Sequence, residues 1–305
     1  MSLSELAKEH IDHIMRPYGH TDVLLFYGVV APKLRKFLDK KEIASKVWLP
    51  SGKIKYFLKR GSKEKPLYIA ELIDSVTPEL LEVRSEKKLS DARGPLTPEQ
   101  ENVWTYFPPR KLSDFFYATN SERANRPIER IFFDIDRGEG VSAKDAQEVT
   151  KAFVEVIQDE ELSFTSPLWV CWTGASFHVY LFLKKEMPPT FYEKHFKFTK
   201  DSMSTFTEKW VAEVGKNVAV KVKGGHEKSA NAINIDSSQT PSGKLCRVPF
   251  SLHMKDARTV DGVSIPLELK MLNEPGLISD LTSYSPERVI KELDELARRL
   301  PEKFR

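Results

Sequence analysis

Two aspartates spaced two residues apart, Asp134 and Asp136, are the first chemistry this sequence offers. They close the run Ile131–Asp136, IFFDID, which is short, apolar and rich in β-formers and so reads as a strand. Side chains alternate faces along a strand. Ile131, Phe133 and Ile135 then point one way, and Phe132, Asp134 and Asp136 the other. Same-side residues two apart lie only about 7 Å from each other. Carboxylates that close repel, and they gain most from a shared divalent cation. Divalent ions held by carboxylates are the usual apparatus for moving a phosphoryl group. The plainer alternative is a solvent-facing strand end running into Arg137-Gly138-Glu139-Gly140.

Two later stretches carry the same design. Val170–Phe182 is an apolar run, a small-residue turn at Thr173-Gly174-Ala175-Ser176 and a second apolar run, a hairpin signal. His178 sits between Phe177 and Val179 and so projects away from both, on the face of Tyr180 and Phe182. Ala232–Asp236, AINID, puts Ile233 and Ile235 on one face and Asn234 and Asp236 on the other. A turn at Thr240-Pro241-Ser242-Gly243 leads to a stretch with Arg247, His253 and Lys255. Strands covered on one face and wet on the other suit an antiparallel sheet. If these strands are neighbours, three carboxylates, two imidazoles, a guanidinium and an ammonium converge. That set suits a nucleoside triphosphate with its metals.

FFDIDRG, TGASFHVYLFL and NAINIDSSQTPSGKLCRVPFSLHMK resemble the three signatures of the archaeo-eukaryotic primase superfamily. The likeness is to the small catalytic subunit of archaeal and eukaryotic primases and to primase-polymerases of archaeal plasmids. It covers roughly residues 115–266, and three separated motifs in the right order are far more specific than one. The resemblance implies an α/β (α+β) fold: a primase-type catalytic core whose mixed and antiparallel sheets carry the acidic site, flanked by helices. It implies a template-dependent nucleotidyltransferase, a DNA primase or primase-polymerase making or extending primers on single-stranded DNA. Asp134, Asp136 and Asp236 would be the catalytic metal ligands for two Mg2+ or Mn2+ ions. Thr173, Gly174, Ser176, His178, Arg247, His253 and Lys255 would bind the NTP or dNTP. The backbone N–H groups of the Thr173–Ser176 turn could approach a phosphate.

The family's Lys-Thr-Gly after the last histidine is here Lys255-Asp256-Ala257-Arg258. Many relatives carry a small zinc module. This chain has only Cys171 and Cys246, each inside an apparent strand, so no zinc is expected. Two readings from other classes remain: a metal-dependent nuclease using the same carboxylates, and a catalytically silent nucleic-acid-binding regulatory module. A nuclease has no obvious need for the His178, Arg247, His253 and Lys255 set. The intact carboxylates argue against a silent module.

At 305 residues, 40% hydrophobic and 30% charged, the chain suits a soluble globular protein of one or two domains. Its net charge of +3 permits a nucleic-acid partner. Two cysteines fit a reducing, cytoplasmic setting. No apolar stretch approaches the roughly 20 residues of a membrane span, and MSLSELAKEH lacks the apolar core of a signal peptide.

The positioning elements are read as follows. Leu3–Met15 is an amphipathic helix broken at Pro17–His20, with His10, His13 and His20 at no ligand spacing. Val23–Val30 is a strand or a buried helix, and Pro32–Asp39 reads as helix. Short strands are expected at Val47–Leu49, Ile54–Leu58 and Leu67–Ile69. The basic cluster between Lys53 and Lys65 reads better as a solvated hairpin face than as a phosphate contact. The charged Arg84–Gly94 and the prolines to Pro109 suggest a linker or surface excursion. Ser142 caps a helix to Ile157, Pro188–Val214 holds one or two helices, and Ser285–Leu300 is amphipathic. Lys221, Lys223 and Lys228, just before the third acidic strand, are candidates for template or triphosphate contact, with a flexible solvated loop as the alternative. The expected division is an N-terminal segment at 1–110, a catalytic core at 111–272 and a helical tail at 273–305. A primase large or accessory subunit, or a further domain, is a possible partner; a membrane is not.

Overall fold

The computed structural model describes residues 2–10, 22–86, 88–92, 94, 96–199 and 204–304. The chain runs α1 (Leu3–His10), α2 (Val23–Leu34), β1 (Ile43–Trp48), β2 (Tyr56–Arg60), α3 (Ile69–Ser75), α4 (Pro78–Glu86), α5 (Leu89–Ala92), α6 (Pro98–Tyr106) and β3 (Ser113–Ala118). There follow β4 (Ile128–Arg137), α7 (Ala143–Asp159), β5 (Trp169–Trp172), β6 (Phe177–Met187), α8 (Pro189–His195), α9 (Phe206–Asn217), β7 (Lys221–Gly224) and β8 (Ala232–Asp236). Last come β9 (Leu245–Arg247), β10 (Leu252–Met254), β11 (Val260–Val263), β12 (Ile265–Leu267), α10 (Leu277–Thr282) and α11 (Pro286–Ala297). The fold is α+β, with antiparallel and mixed sheets flanked by helices.

The chain forms two compact units, each discontinuous in sequence. One holds residues 1–117, 247–265 and 283–305, the other 118–246 and 266–282.

The second unit is built on a six-stranded sheet of order β12-β5-β6-β4-β8-β7. The β5–β6, β6–β4 and β4–β8 pairs are antiparallel, and β7 runs parallel to β8. One face is apolar and covered by helices. Phe133 of β4 meets Phe153 of α7 at 5.0 Å, Trp210 of α9 at 6.0 Å and Phe196 at 6.4 Å. The capping of α7 is as the sequence signals, with Ser142 Oγ accepting from Asp145 N–H and Asp145 reaching back to Ser142. Glu208 plays the same part at the start of α9, where Thr205 is the cap.

The first unit carries the sheet β2-β1-β3-β9, the β10–β11 hairpin and the helices of the N- and C-terminal segments. Several expectations are corrected here. Of the two readings of Val23–Val30 the buried helix holds: Val23–Leu34 is one helix, capped by Asp22, and it ends at Leu34 rather than running on to Asp39. Leu67–Ile69 is not a strand: Tyr68 makes a single bridge to Glu42 and caps α3, with Glu71 accepting its N–H. Nor is 84–110 a linker. Arg84 is buried, donates to Asp22 at 2.5 Å and to the Phe107 carbonyl at 2.5 Å, and lies over the Trp104 ring. Pro98, one of the prolines of that expected linker, instead starts α6 behind the Thr97 cap, where its missing N–H costs nothing. Val289 and Leu296 of α11 are buried. The expected turns beyond His10, with His13 and the break at Pro17–His20, lie outside the described residues. Among the described residues no helix is long and apolar enough to cross a membrane.

Candidate active site

The acidic strands are neighbours. β4 lies between β6 and β8, and the register sets four residues in one row across the sheet: Cys171, His178, Asp134 and Asp236. Asp134 therefore has His178 opposite on one side and Asp236 on the other. The next same-face row holds Asp136, Asn234 and Lys223. Directly opposed residues share a face with Cβ atoms about 4.5–5.5 Å apart. Asp134, Asp136, Asp236, His178 and Lys223 thus belong to the face away from the helices, and Lys221, two residues before Lys223, joins them.

His178 Nε2 lies 3.7 Å from Asp134 Oδ1. Its ring is buried and meets Phe132 edge-on at 4.6 Å, with Tyr180 at 6.3 Å. Asp236 is also buried. Its Oδ1 accepts from Ser238 N–H at 2.9 Å and its Oδ2 from the Ser238 hydroxyl at 2.7 Å. Nearby, burial pushes the Tyr192 hydroxyl up to about 12, opposed by its bond with Ser237 and reinforced by the Asp236 charge. Asp136 pairs with Lys228 at 2.6 Å. Lys228 is mostly exposed, so the pair opens at little cost. Its loop is held close by Gly138, where an added Cβ would lie 1.8 Å from the Ser229 carbonyl oxygen. Lys223 Nζ donates to Ser229 Oγ at 2.8 Å. The segment 221–224, weighed as a loop, is an edge strand.

The small-residue turn is present between β5 and β6, with Gly174 at φ 101°. Thr173 N–H donates to the Ser176 carbonyl, and Ala175 and Ser176 N–H both donate to Thr173 Oγ1. Ser176 Oγ–H donates to the Ile135 carbonyl, tying the turn to β4. Of the four amides, that of Gly174 is the one making no bond inside the turn, so three of the N–H groups expected to meet a phosphate are already engaged.

Arg247, His253 and Lys255 belong to the first unit. Arg247 Nη1 donates to the Leu252 carbonyl, and its guanidinium lies 4.9 Å over the Phe116 ring. His253 Nδ1 meets Asp261 Oδ1 at 2.5 Å, an arrangement that restrains the ring through that nitrogen. Lys255 is exposed beside Asp256, whose carboxyl is lowered chiefly by the Arg258 N–H it accepts. Two charged residues here escaped the sequence reading. Asp114 faces Lys46 and Arg247, and Asp261 orients His253. Neither carries a local signal, because each partner is supplied by another strand.

Three carboxylates on adjacent rows offer the hard oxygen donors that Mg2+ or Mn2+ prefers. Among the described residues no three such side chains close on one point, Asp136 being turned to Lys228. The donor chemistry fits, and the side chains would have to rotate to complete it.

No family profile matches the chain, and no curated protein matches its sequence. Among solved structures, the polymerase domain from Mycobacterium tuberculosis Ligase D, in complex with DNA, is similar, with a TM-score of 0.55 and 17% identity over 95% of this chain and 97% of that one. The two share a fold.

Proposed function

We propose that this protein is a template-dependent nucleotidyltransferase, a primase or primase-polymerase that makes or extends primers on single-stranded DNA from nucleoside triphosphates. One observation supports this above others. The motif carboxylates Asp134 and Asp236 stand opposite each other, with Asp136 on the next row, on a fold similar to a domain described as a polymerase and solved with DNA.

In this reading Asp134, Asp136 and Asp236 hold divalent cations, which when bound would acidify the attacking 3′-hydroxyl and offset charge on the phosphates. His178 lies beside Asp134 and would face the same bound group. Arg247 contributes a planar fork suited to phosphate oxygens. His253 donates Nδ1–H to Asp261, which leaves Nε2 as the ring nitrogen for a ligand. Lys255 adds a mobile charge, and Lys221, Lys223 and Lys228 form a basic margin beside the carboxylates for a strand's phosphates.

The test is incorporation of labelled NTP and dNTP on single-stranded DNA, with and without a primer, in Mg2+ and in Mn2+. Incorporation that needs both template and metal is expected. Degradation of the labelled strand without incorporation would point instead to a nuclease.

A further inference from the structure

Asp114 of β3 is fully enclosed, and neither of its carboxylate oxygens makes a hydrogen bond of ordinary length, the buried Trp48 indole N–H being a neighbour beyond that reach. Its companions are cations at ion-pair distance. Lys46, placed directly opposite by the β1–β3 register, brings Nζ to 3.9 Å, and Arg247 brings Nη2 to 3.6 Å. Burial pushes the Asp114 carboxyl up, against the pull of Arg247, Lys46 and His253. A buried charge without hydrogen bonds is a poor way to stabilise a fold, and apolar replacements of buried ion pairs are often neutral or better.

Arg247 shows what the arrangement achieves. On one side Nη1 is held by the Leu252 carbonyl and, at 3.4 Å, by Ser251 Oγ. Phe116 supports the guanidinium plane from 4.9 Å. On the other side Nη2 meets the charge of Asp114 without donating to it. A close two-bond fork would consume the donors that recognise phosphate. An ion pair at this separation orients the guanidinium and leaves those Nη2 donors for a ligand.

We propose that Asp114 is a positioning residue that fixes Arg247 for a phosphate group without touching the ligand itself. This rests on the reading of Arg247 as a triphosphate contact.

Asp114→Asn keeps the shape and removes the charge, and the two possible roles differ in sign. A merely neighbouring anion, once neutralised, leaves its surroundings more positive, so nucleotide binding holds or tightens. A positioning anion, once neutralised, loosens Arg247, and binding weakens despite the added positive charge. The expected result is a nucleotide KM raised about tenfold, the scale of one charge-assisted contact, with kcat at saturation retained. Arg247→Lys should then add little in the Asp114→Asn background. Should Asp114→Asn not fold, the charge-balanced variant Asp114→Asn with Lys46→Met is compared with Lys46→Met alone, and the same loss is expected. Unchanged or tighter binding in either comparison overturns the proposal.

Inorganic tripolyphosphate, titrated calorimetrically, separates this from failure of the polymerase reading. If the wild type incorporates nothing, yet binds tripolyphosphate and loses affinity in Asp114→Asn, the polymerase reading falls and the positioning role stands. If the wild type incorporates nucleotide and the variant's KM is unmoved, the reverse holds. A wild type that binds neither ligand overturns both.

Discussion

Asp134 and Asp236 stand directly opposite each other on adjacent antiparallel strands, two carboxylates in a single non-local pair. Like charges so placed oppose pairing of the strands by a few tenths to about 1 kcal/mol. Helix packing on the opposite face, through Phe133, Phe153 and Trp210, anchors β4, and β8 pairs with it in that register regardless. The sheet thus keeps an electrostatic conflict that a cation would relieve.

Removing either member should separate activity from stability. Asp134→Asn and Asp236→Asn are each expected to abolish nucleotide incorporation while the metal-free melting temperature stays within a few degrees of wild type. Mn2+ is expected to raise the wild-type melting temperature by linkage, and that rise should shrink or vanish in both variants. Circular dichroism melts with and without Mn2+, beside an incorporation assay, check this. Full activity in either variant rules out the carboxylate assignment.

If Asp136 is a metal ligand as proposed, its pair with Lys228 competes with the metal for the same carboxylate. Lys228 is 62% exposed, so the contact contributes on the order of 0.2–1 kcal/mol. Lys228→Met should therefore lower the Mn2+ concentration needed for half-maximal incorporation by about 1.5- to 5-fold. If Lys228 also holds template phosphate, the same variant should weaken single-stranded DNA binding and flatten its salt dependence. A metal titration unmoved by the substitution would show that the pair does not gate Asp136.

Glu208 ties together the ends of the segment before α9. It accepts from Thr199 N–H at 2.8 Å, Ser204 N–H at 2.9 Å and Thr205 N–H at 3.0 Å. Burial pushes its carboxyl up, but bonds from Thr199, Thr205 and Ser204 outweigh this and bring it down to about 2. The folded value lies below the ordinary one, so the stability it confers is complete above about pH 4.5 and lost as pH falls towards 2. That contribution is on the order of 3 kcal/mol at neutral pH. Glu208→Gln should melt several degrees early at pH 7, with the gap closing as pH falls through that window.

The placement of the candidate site's residues on shared faces could be read from sequence because its signals are local. Alternation within Ile131–Asp136 and Ala232–Asp236 fixed which residues share a face, and the small-residue turn fixed the hairpin bearing His178. Ser142 and Ser285 marked helix starts where the structure has them. What was not legible depends on partners distant in the chain. Asp114 precedes an aromatic run that reads simply as core, and its meaning comes from Lys46 and Arg247 on other strands. Arg84 sits in a charged, proline-flanked stretch that looks like a linker until Asp22 and Trp104 close over it. The two units are likewise discontinuous in sequence, and composition carries no mark of where the chain passes between them.

His178 gives the sharpest test, because the structure makes it both buried and adjacent to a motif carboxylate. Its ring fills space against Phe132 at 4.6 Å, and Nε2 lies 3.7 Å from Asp134. His178→Ala is therefore expected to lower the melting temperature by a few degrees through the cavity alone, about 1–2 kcal/mol in a chain of this size. Early melting does not by itself separate a core role from a site role. The separating measurement is the added stabilisation by nucleotide and Mg2+, taken as a difference for each protein so that the cavity cancels. A site histidine requires that difference to collapse in His178→Ala, together with incorporation. His178→Gln, which restores a polar donor and most of the volume, should recover the melting temperature more than the incorporation. A His178→Ala protein that melts early but gains as much from nucleotide and Mg2+ as the wild type would make the ring a packing element of β6 and remove it from the site.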